Sequence, residues 1–339
     1  MYKEIKNIQN TNGLYFIENR LYTFIDLNKS LSEFDVFGNL LWIMAERDIY
    51  YRYYVNNEII IFSQKDKNSG VTFLDRKTKK ILKQESEYLN ITNLSCYNNN
   101  LLYSLSKGEL KVYDLKRLIC ISSTKKNMIG IVQYITNQFI ITNDYHSVFA
   151  YSKTDFSLVW QQDLKEALKY HFDKKDVYGQ IKHVKQYKDS VIVVSDGGII
   201  RLLLATGETV WKSKTYAQTM EIVKETGFIC SGLCIYKIDL ETGKINHYGW
   251  EHNKLPDFEY NGKKYWAVGH EVIYHDGLLW YSVYSSGESF ITAINPENGN
   301  YEWIHHVETY EKIQSPRFYG DKMFLLDTGG TLHIYEKEK

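Results

Sequence analysis

The sequence predicts an all-β chain folded as a β-propeller of eight four-stranded blades, and three observations carry that prediction. A strand, tight turn, strand, corner, strand unit recurs eight times along the 339 residues, spaced by about 44 residues, within the roughly 40 to 50 of propeller blades. Three of the units place a Trp at one fixed distance beyond a polar corner. The composition suits pleated strands, with 29 Tyr against 3 Pro, since a Tyr ring packs on a strand face while its hydroxyl reaches water.

The units follow one another from the N-terminus. The alternating YKEIKNI, residues 2–8, is free to pair across the ring closure. Hairpins then start at Asn12, Asn56, Asn99, Thr136, Ser190, Thr226, Gly277 and Tyr319. The last of them ends at TLHIYEKEK before a fourth strand, so either residues 2–8 complete that blade or it has three strands. Aligning the corners puts Asp26, Asp75, Asp114, Ser152, Leu203, Asp239, Asn295 and Glu336 at one position. Four residues on stand Gly207, Gly243 and Gly299, where Gly adopts a left-handed turn at little cost. Eight residues on stand Trp160, Trp211 and Trp303, whose regular placement marks them as packing residues between blades. Seven blades plus one irregular hairpin is the alternative count. Residues 1–339 are expected to form a single propeller domain.

The corner Ala293-x-Asn295-x-x-Asn298-Gly299-x-x-x-Trp303 resembles the repeat of the pyrroloquinoline-quinone-like, quinoprotein-type β-propellers. Ala205-Thr206-Gly207-Glu208-x-x-Trp211 carries a version without the acidic residue, and DLETGK at Asp239 has the corner without a Trp at the expected place. The resemblance implies a propeller over the whole chain, in an architecture shared by enzymes, assembly factors and scaffolds. Quinone-dependent members are exported, and use a Trp platform, a disulfide of adjacent cysteines and a calcium ion. Here Cys96, Cys120, Cys230 and Cys234 include no adjacent pair. No cofactor and no metal are therefore expected.

Charge and motifs exclude further classes. Lys+Arg and Asp+Glu balance at 41 each, so no basic field draws nucleic acid or an anionic membrane. The N-terminus lacks the pattern of a secretory signal, and no apolar run has membrane-spanning length, so a cytoplasmic protein with reduced thiols is expected. Cys230-Ser-Gly-Leu-Cys234 is too loosely spaced for a metal pair and has no second pair to complete it, so two buried thiols are expected. Consecutive strand residues point to opposite faces, so His305 and His306 are expected to divide into one exposed and one packed ring. His247, His252, His270 and His275 bracket one irregular segment. Asp144, Asp196, Asp327 and Glu288 recur at turns, as turn chemistry alone requires. No nucleophile elbow, P-loop or dinucleotide fingerprint is present.

Function in repeat proteins concentrates where the repeat is broken. Two connections are long. Residues 163–183 carry Leu164, Ala167, Leu168 and Phe172 at helical spacing, which predicts a short amphipathic helix. Residues 250–272 carry Trp250, Pro256, Phe258, Tyr260, Tyr265 and Trp266 among charges. Both are expected beside the channel mouth, where Trp250, Phe258, Tyr260, Tyr265, Trp266 and Phe172 are candidates to bind a protein partner. The alternative is that Phe258, Tyr260 and Trp266 fold back over a neighbouring blade. A non-catalytic protein-binding scaffold is the first reading, in a narrow form a bacterial immunity-type neutraliser of a toxin. An enzyme or small-ligand binder using the channel mouth is the second, and an assembly factor the third.

Overall fold

Each repeat unit folds as a four-stranded antiparallel meander, and eight such sheets form a β-propeller. The computed structural model describes all residues except 26–29, 45–48, 65–69, 86–93, 98–99, 107, 125–127, 270 and 339. Blade 1 runs from strand Thr11–Ile17 to Leu40–Met44, blade 2 from Ile49–Val55 to Ile81–Glu85, and blade 3 from Leu94–Tyr97 to Ile119–Thr124. Blade 4 runs from Ile131–Ile135 to Leu158–Asp163, blade 5 from Ile181–Tyr187 to Thr209–Ser213, blade 6 from Thr219–Val223 to Ile245–Asn246, and blade 7 from Val272–His275 to Tyr301–Val307.

Blade 8 settles how the ring closes. Its three C-terminal strands, Arg317–Tyr319, Lys322–Leu326 and Leu332–Lys337, are completed by Tyr2–Ile8, antiparallel to Leu332–Lys337. The alternation of residues 2–8 therefore meets a partner edge from the other end of the chain and covers the free edge of Leu332–Lys337. Seven blades and a three-stranded last blade are both ruled out.

The first strands of neighbouring blades touch around the centre, as Leu94–Tyr97 does with Ile131–Ile135. The core lies between sheets rather than at one centre. Val148, Ala150 and Trp160 of blade 4, for example, pack on Val191, Val193 and Leu202 of blade 5. A middle strand is thus covered on both faces, which is why Ser190–Ser195 and Gly198–Leu203 read as nearly continuous apolar runs rather than alternating ones. Fourth strands form the rim and leave residues such as Leu40, Ile81, Ile119 and Leu158 exposed.

The repeat register holds from blade 2 onward and shifts in blade 1. The corner residue ends the third strand and faces the start of the second, as in Ile59↔Asp75, Thr226↔Asp239 and Lys322↔Glu336. In blade 1 that pair is Arg20↔Asp35, so Asp35 holds the place assigned to Asp26, itself outside the described residues. The strands Arg20–Ile25 and Ser30–Asp35 are both six residues long and each runs into an Asp, Asp26 or Asp35, so the sequence pattern does not separate them. With the corrected register Trp42 faces Glu33 as Trp160 faces Ala150 and Trp211 faces Arg201, a fourth Trp of the series.

The helix expected within 163–183 is not formed. One turn closes, from the Leu168 N–H to the Leu164 carbonyl at 2.8 Å, and buries both Leu side chains between blades 4 and 5. The chain then forms a hairpin, Lys169–Phe172 paired with Lys175–Tyr178. Asp173 and Lys174 form its tip at φ 46° and 61°, the paired left-handed geometry of a two-residue hairpin turn. Tyr170 and Phe172 stand two apart on the first strand, and Tyr170 pairs with Val177 on the second, a strand pattern that prevails over the helical one.

Candidate binding face

In an antiparallel meander the blade-to-blade connections leave on the same side as the turns between second and third strands. Both long insertions therefore stand on one face around the channel mouth. The Gly179 N–H donates to the Leu168 carbonyl, and His146 Nδ1 lies 3.1 Å from the Gly179 carbonyl, tying the first hairpin down beside blade 4.

The second insertion forms another hairpin, Phe258–Tyr260 with Lys263–Tyr265, turned by Asn261 and Gly262 at φ 49° and 75°. It folds back onto blade 7. Phe258 is buried, edge-on to Phe290 at 5.2 Å and near Tyr301 at 5.7 Å. Tyr265 is buried too, and its hydroxyl donates to Glu288 Oε2 at 2.6 Å while Lys263 Nζ donates to Oε1 at 2.7 Å. Tyr260 is half-buried against Phe290 and His306. Trp250 is half-buried, stacked on Tyr248 at 4.6 Å, and both rings abut Gly299 of blade 7. They fill the place left by the missing corner Trp of blade 6. Of the six candidate rings, Trp266, 68% exposed, and Phe172, 67% exposed, are open to a partner.

Five further rings on this face complete the set. Tyr145 sits in the inner turn of blade 4 and Tyr178 on the first hairpin, and Tyr284 flanks the corresponding turn of blade 7. Tyr216 lies between blades 5 and 6, and Tyr310, 88% exposed, between blades 7 and 8. Some of their backbones are pinned: the Trp266 N–H donates to Ser285 Oγ at 3.2 Å, and the Tyr284 hydroxyl to the Tyr310 carbonyl at 3.3 Å. Sequence reasoning missed these five because it searched only the long insertions. The signal was an aromatic in turns that the repeat grammar itself locates. Among the described residues the other exposed rings are Phe37, 49% exposed, and Tyr15 and Tyr274, each 36% exposed, on the first strands of blades 1 and 7.

Beneath the mouth lie two channel compartments that share Glu271, Gln314 and Ser315. The upper, about 420 Å³, is lined by His183, Thr219, Glu271, Ser282, Lys312 and Gln314 among others. The lower, about 490 Å³, adds Phe16, Tyr274, His275, Arg317 and Phe318.

The acidic turn residues are committed to local structure. Asp144 Oδ1 accepts the His146 and Ser147 N–H groups at 2.9 and 2.6 Å. Asp196 Oδ1 accepts the Gln180 N–H at 2.6 Å, and Oδ2 pairs with Lys182 at 3.1 Å. Asp327 Oδ1 accepts the Thr331 N–H at 2.7 Å, and Oδ2 faces His333 at 3.4 Å. Glu288 holds the second hairpin, and contacts with Lys263 and Tyr265 keep its carboxyl below the ordinary range.

The remaining histidines and thiols do not assemble into a site. His247 is exposed beside Tyr236, His252 is exposed beside Glu251, His275 stacks on Phe318 at 4.0 Å, and His270 lies outside the described residues. His305 and His306 do face opposite ways, but both are half-buried: one stacks on Trp303, the other packs on Phe290. Cys230 is buried, and burial pushes its thiol up to about 11, whereas Cys234 is half-buried. Among the described residues no group of three or more His, Cys, Asp or Glu is placed to hold a metal ion. No described helix is long and apolar enough to cross a membrane.

The chain matches no family model and no curated protein sequence. It is similar in structure to BamB from Moraxella catarrhalis, with a TM-score of 0.65, 8% identity, and 99% of this chain and 100% of that one covered. It is similar to the same degree to the computationally designed Ika8 protein, with a TM-score of 0.65, 12% identity and 98% of both chains covered. At these identities the likeness is one of fold, a β-propeller spanning the whole chain.

Proposed function

We propose that this chain is a non-catalytic scaffold that binds a protein partner through the aromatic face, as a single-domain propeller of the pyrroloquinoline-quinone-like repeat type. The observation that carries the reading is the set of seven exposed rings, Tyr145, Phe172, Tyr178, Tyr216, Trp266, Tyr284 and Tyr310, on one face around the channel mouth. Tyr and Trp offer large contact area at low conformational cost, and such rings dominate interface energetics. Balanced charge leaves shape and ring contacts, rather than long-range attraction, to select the partner. A cytoplasmic setting belongs to this reading and is supported by free thiols that include the exposed Cys120.

The test compares capture of a partner from native extract by the unaltered protein and by Trp266→Ala/Phe172→Ala. A stoichiometric partner lost in the variant, at unchanged melting temperature, supports the face; equal capture by both baits sinks it. In the narrower case of an immunity-type neutraliser, the captured protein is a toxic enzyme, and its inhibition by the unaltered chain, but not by the variant, is the readout.

A further inference from the structure

We propose that the upper channel compartment binds a small zwitterion of the α-amino-acid or dipeptide class, its ammonium group on Glu271 and its carboxylate on Lys312. The compartment, about 420 Å³, falls in the range of roughly 300 to 1,000 Å³ typical of small-molecule sites.

Two charges of opposite sign line it without meeting. Glu271 and Lys312 are both half-buried, and neither side chain has a hydrogen bond or ion pair among the described residues. Nor do they pair with each other within 4.0 Å. Elsewhere in this chain neighbouring opposite charges do pair, as in Lys169 with Asp176 at 2.7 Å and Lys263 with Glu288 at 2.7 Å. Half-buried charges facing one cavity but held apart are costly unless something between them carries the opposite dipole.

Among the described residues, the rest of the lining adds no carboxylate, Lys or Arg. Burial, together with Lys185, lowers the pKa of His183 against the opposing pull of Glu271 and so disfavours its charged form. Ser282 Oγ is fixed by donating to the Gln314 carbonyl at 2.9 Å, and Thr328 Oγ is spent on Glu311 at 2.8 Å. A simple anion would meet Glu271 and a simple cation Lys312, so a molecule carrying both charges fits best. Arg317 in the lower compartment is a second cation near Glu271, and its Nη1 donates to the Leu14 carbonyl at 3.5 Å. Lys312 is preferred because it lies in the compartment nearer the mouth.

Titration calorimetry of the full chain tests this with the common L-α-amino acids and glycyl dipeptides, each beside its N-acetyl and methyl-ester derivatives. One class of zwitterion should bind at a single saturable site, and both blocked derivatives at least tenfold more weakly. Glu271→Gln and Lys312→Met should each weaken binding tenfold or more, while Arg317→Met and Trp266→Ala/Phe172→Ala leave it unchanged. The last variant separates this site from partner docking. Absence of binding across the panel, equal binding of a blocked derivative, or dependence on Arg317 rather than Lys312 would overturn the proposal. The derivative comparison uses unaltered protein and holds even where a variant fails to fold.

Discussion

The indole of Trp160 in blade 4 lies against Gly207 in blade 5, and its Nε1 donates to the Leu204 carbonyl at 2.8 Å. Trp211 repeats the contact on Gly243 of blade 6, donating to the Leu240 carbonyl at 3.0 Å. Corners without Gly adopt the same left-handed turn, with Lys79 at φ 61°, Leu118 at 54° and Phe156 at 59°. The turn alone therefore does not require Gly at residues 207 and 243; the ring behind it adds the demand. A Cβ at Gly207 would lie 2.7 Å from Trp160 ring carbons. In blade 2, where Lys79 takes the Gly position, its ammonium sits 4.9 Å over the half-buried Trp42 ring instead.

A double-mutant cycle follows from this contact. Gly207→Ala should destabilise by about 2–4 kcal/mol, combining left-handed strain with overpacking, and Trp160→Ala by about 3–5 kcal/mol. In the Trp160→Ala background the Gly207→Ala change should cost only the strain, about 1–2 kcal/mol. Urea unfolding of the four proteins measures it. Full additivity would show that the indole is not what forbids a side chain at 207.

Ring closure carries its own titratable group. His333, buried in the third strand of blade 8, has Nδ1 3.1 Å from Glu4 on the N-terminal strand and Nε2 3.4 Å from Asp327. Burial opposes its charge, but the two carboxylates outweigh it and raise the pKa above 6.5. A raised folded-state pKa means that the stabilisation is whole below 6.5 and is lost as pH climbs through the higher folded value. Urea midpoints should therefore drop as pH is raised above 6.5, and His333→Gln should flatten that slope. An unchanged slope in the variant would remove His333 from the closure.

The blade count was legible because corner residues, Gly and Trp recur at constant offsets, and those offsets are set by the register between third and fourth strands. Where the markers were lost the reading slipped. Blade 1 has two six-residue strands that each run into an Asp, so the pattern alone does not separate Asp26 from Asp35 and leaves Trp42 outside the series. The insertions failed differently. Leu164 and Leu168 do lie on one side of a turn, but a single turn suffices to bury them, and nothing in their spacing says that a hairpin follows. Composition also does not tell a ring that presents itself from one that folds back. Phe258 and Trp266 stand eight residues apart in similarly charged surroundings, and only Phe258 has Phe290 and Tyr301 within reach.

That contrast yields the sharpest separation of stability from binding. Phe258→Ala empties a slot bounded by Phe290, Tyr265 and Tyr301, and should cost about 3–5 kcal/mol. Trp266→Ala removes a ring 68% exposed to solvent, and should change stability by no more than about 0.5 kcal/mol. Partner capture should fall in both, for different reasons. In Phe258→Ala the loss should follow the unfolded fraction and return on cooling or added osmolyte, whereas in Trp266→Ala it should persist at full native population. Capture measured against temperature for each variant, beside its melting curve, distinguishes the two. If Trp266→Ala binds as well as the unaltered chain while fully folded, the partner does not use that ring, and contact must be sought around Tyr145, Tyr216 and Tyr310.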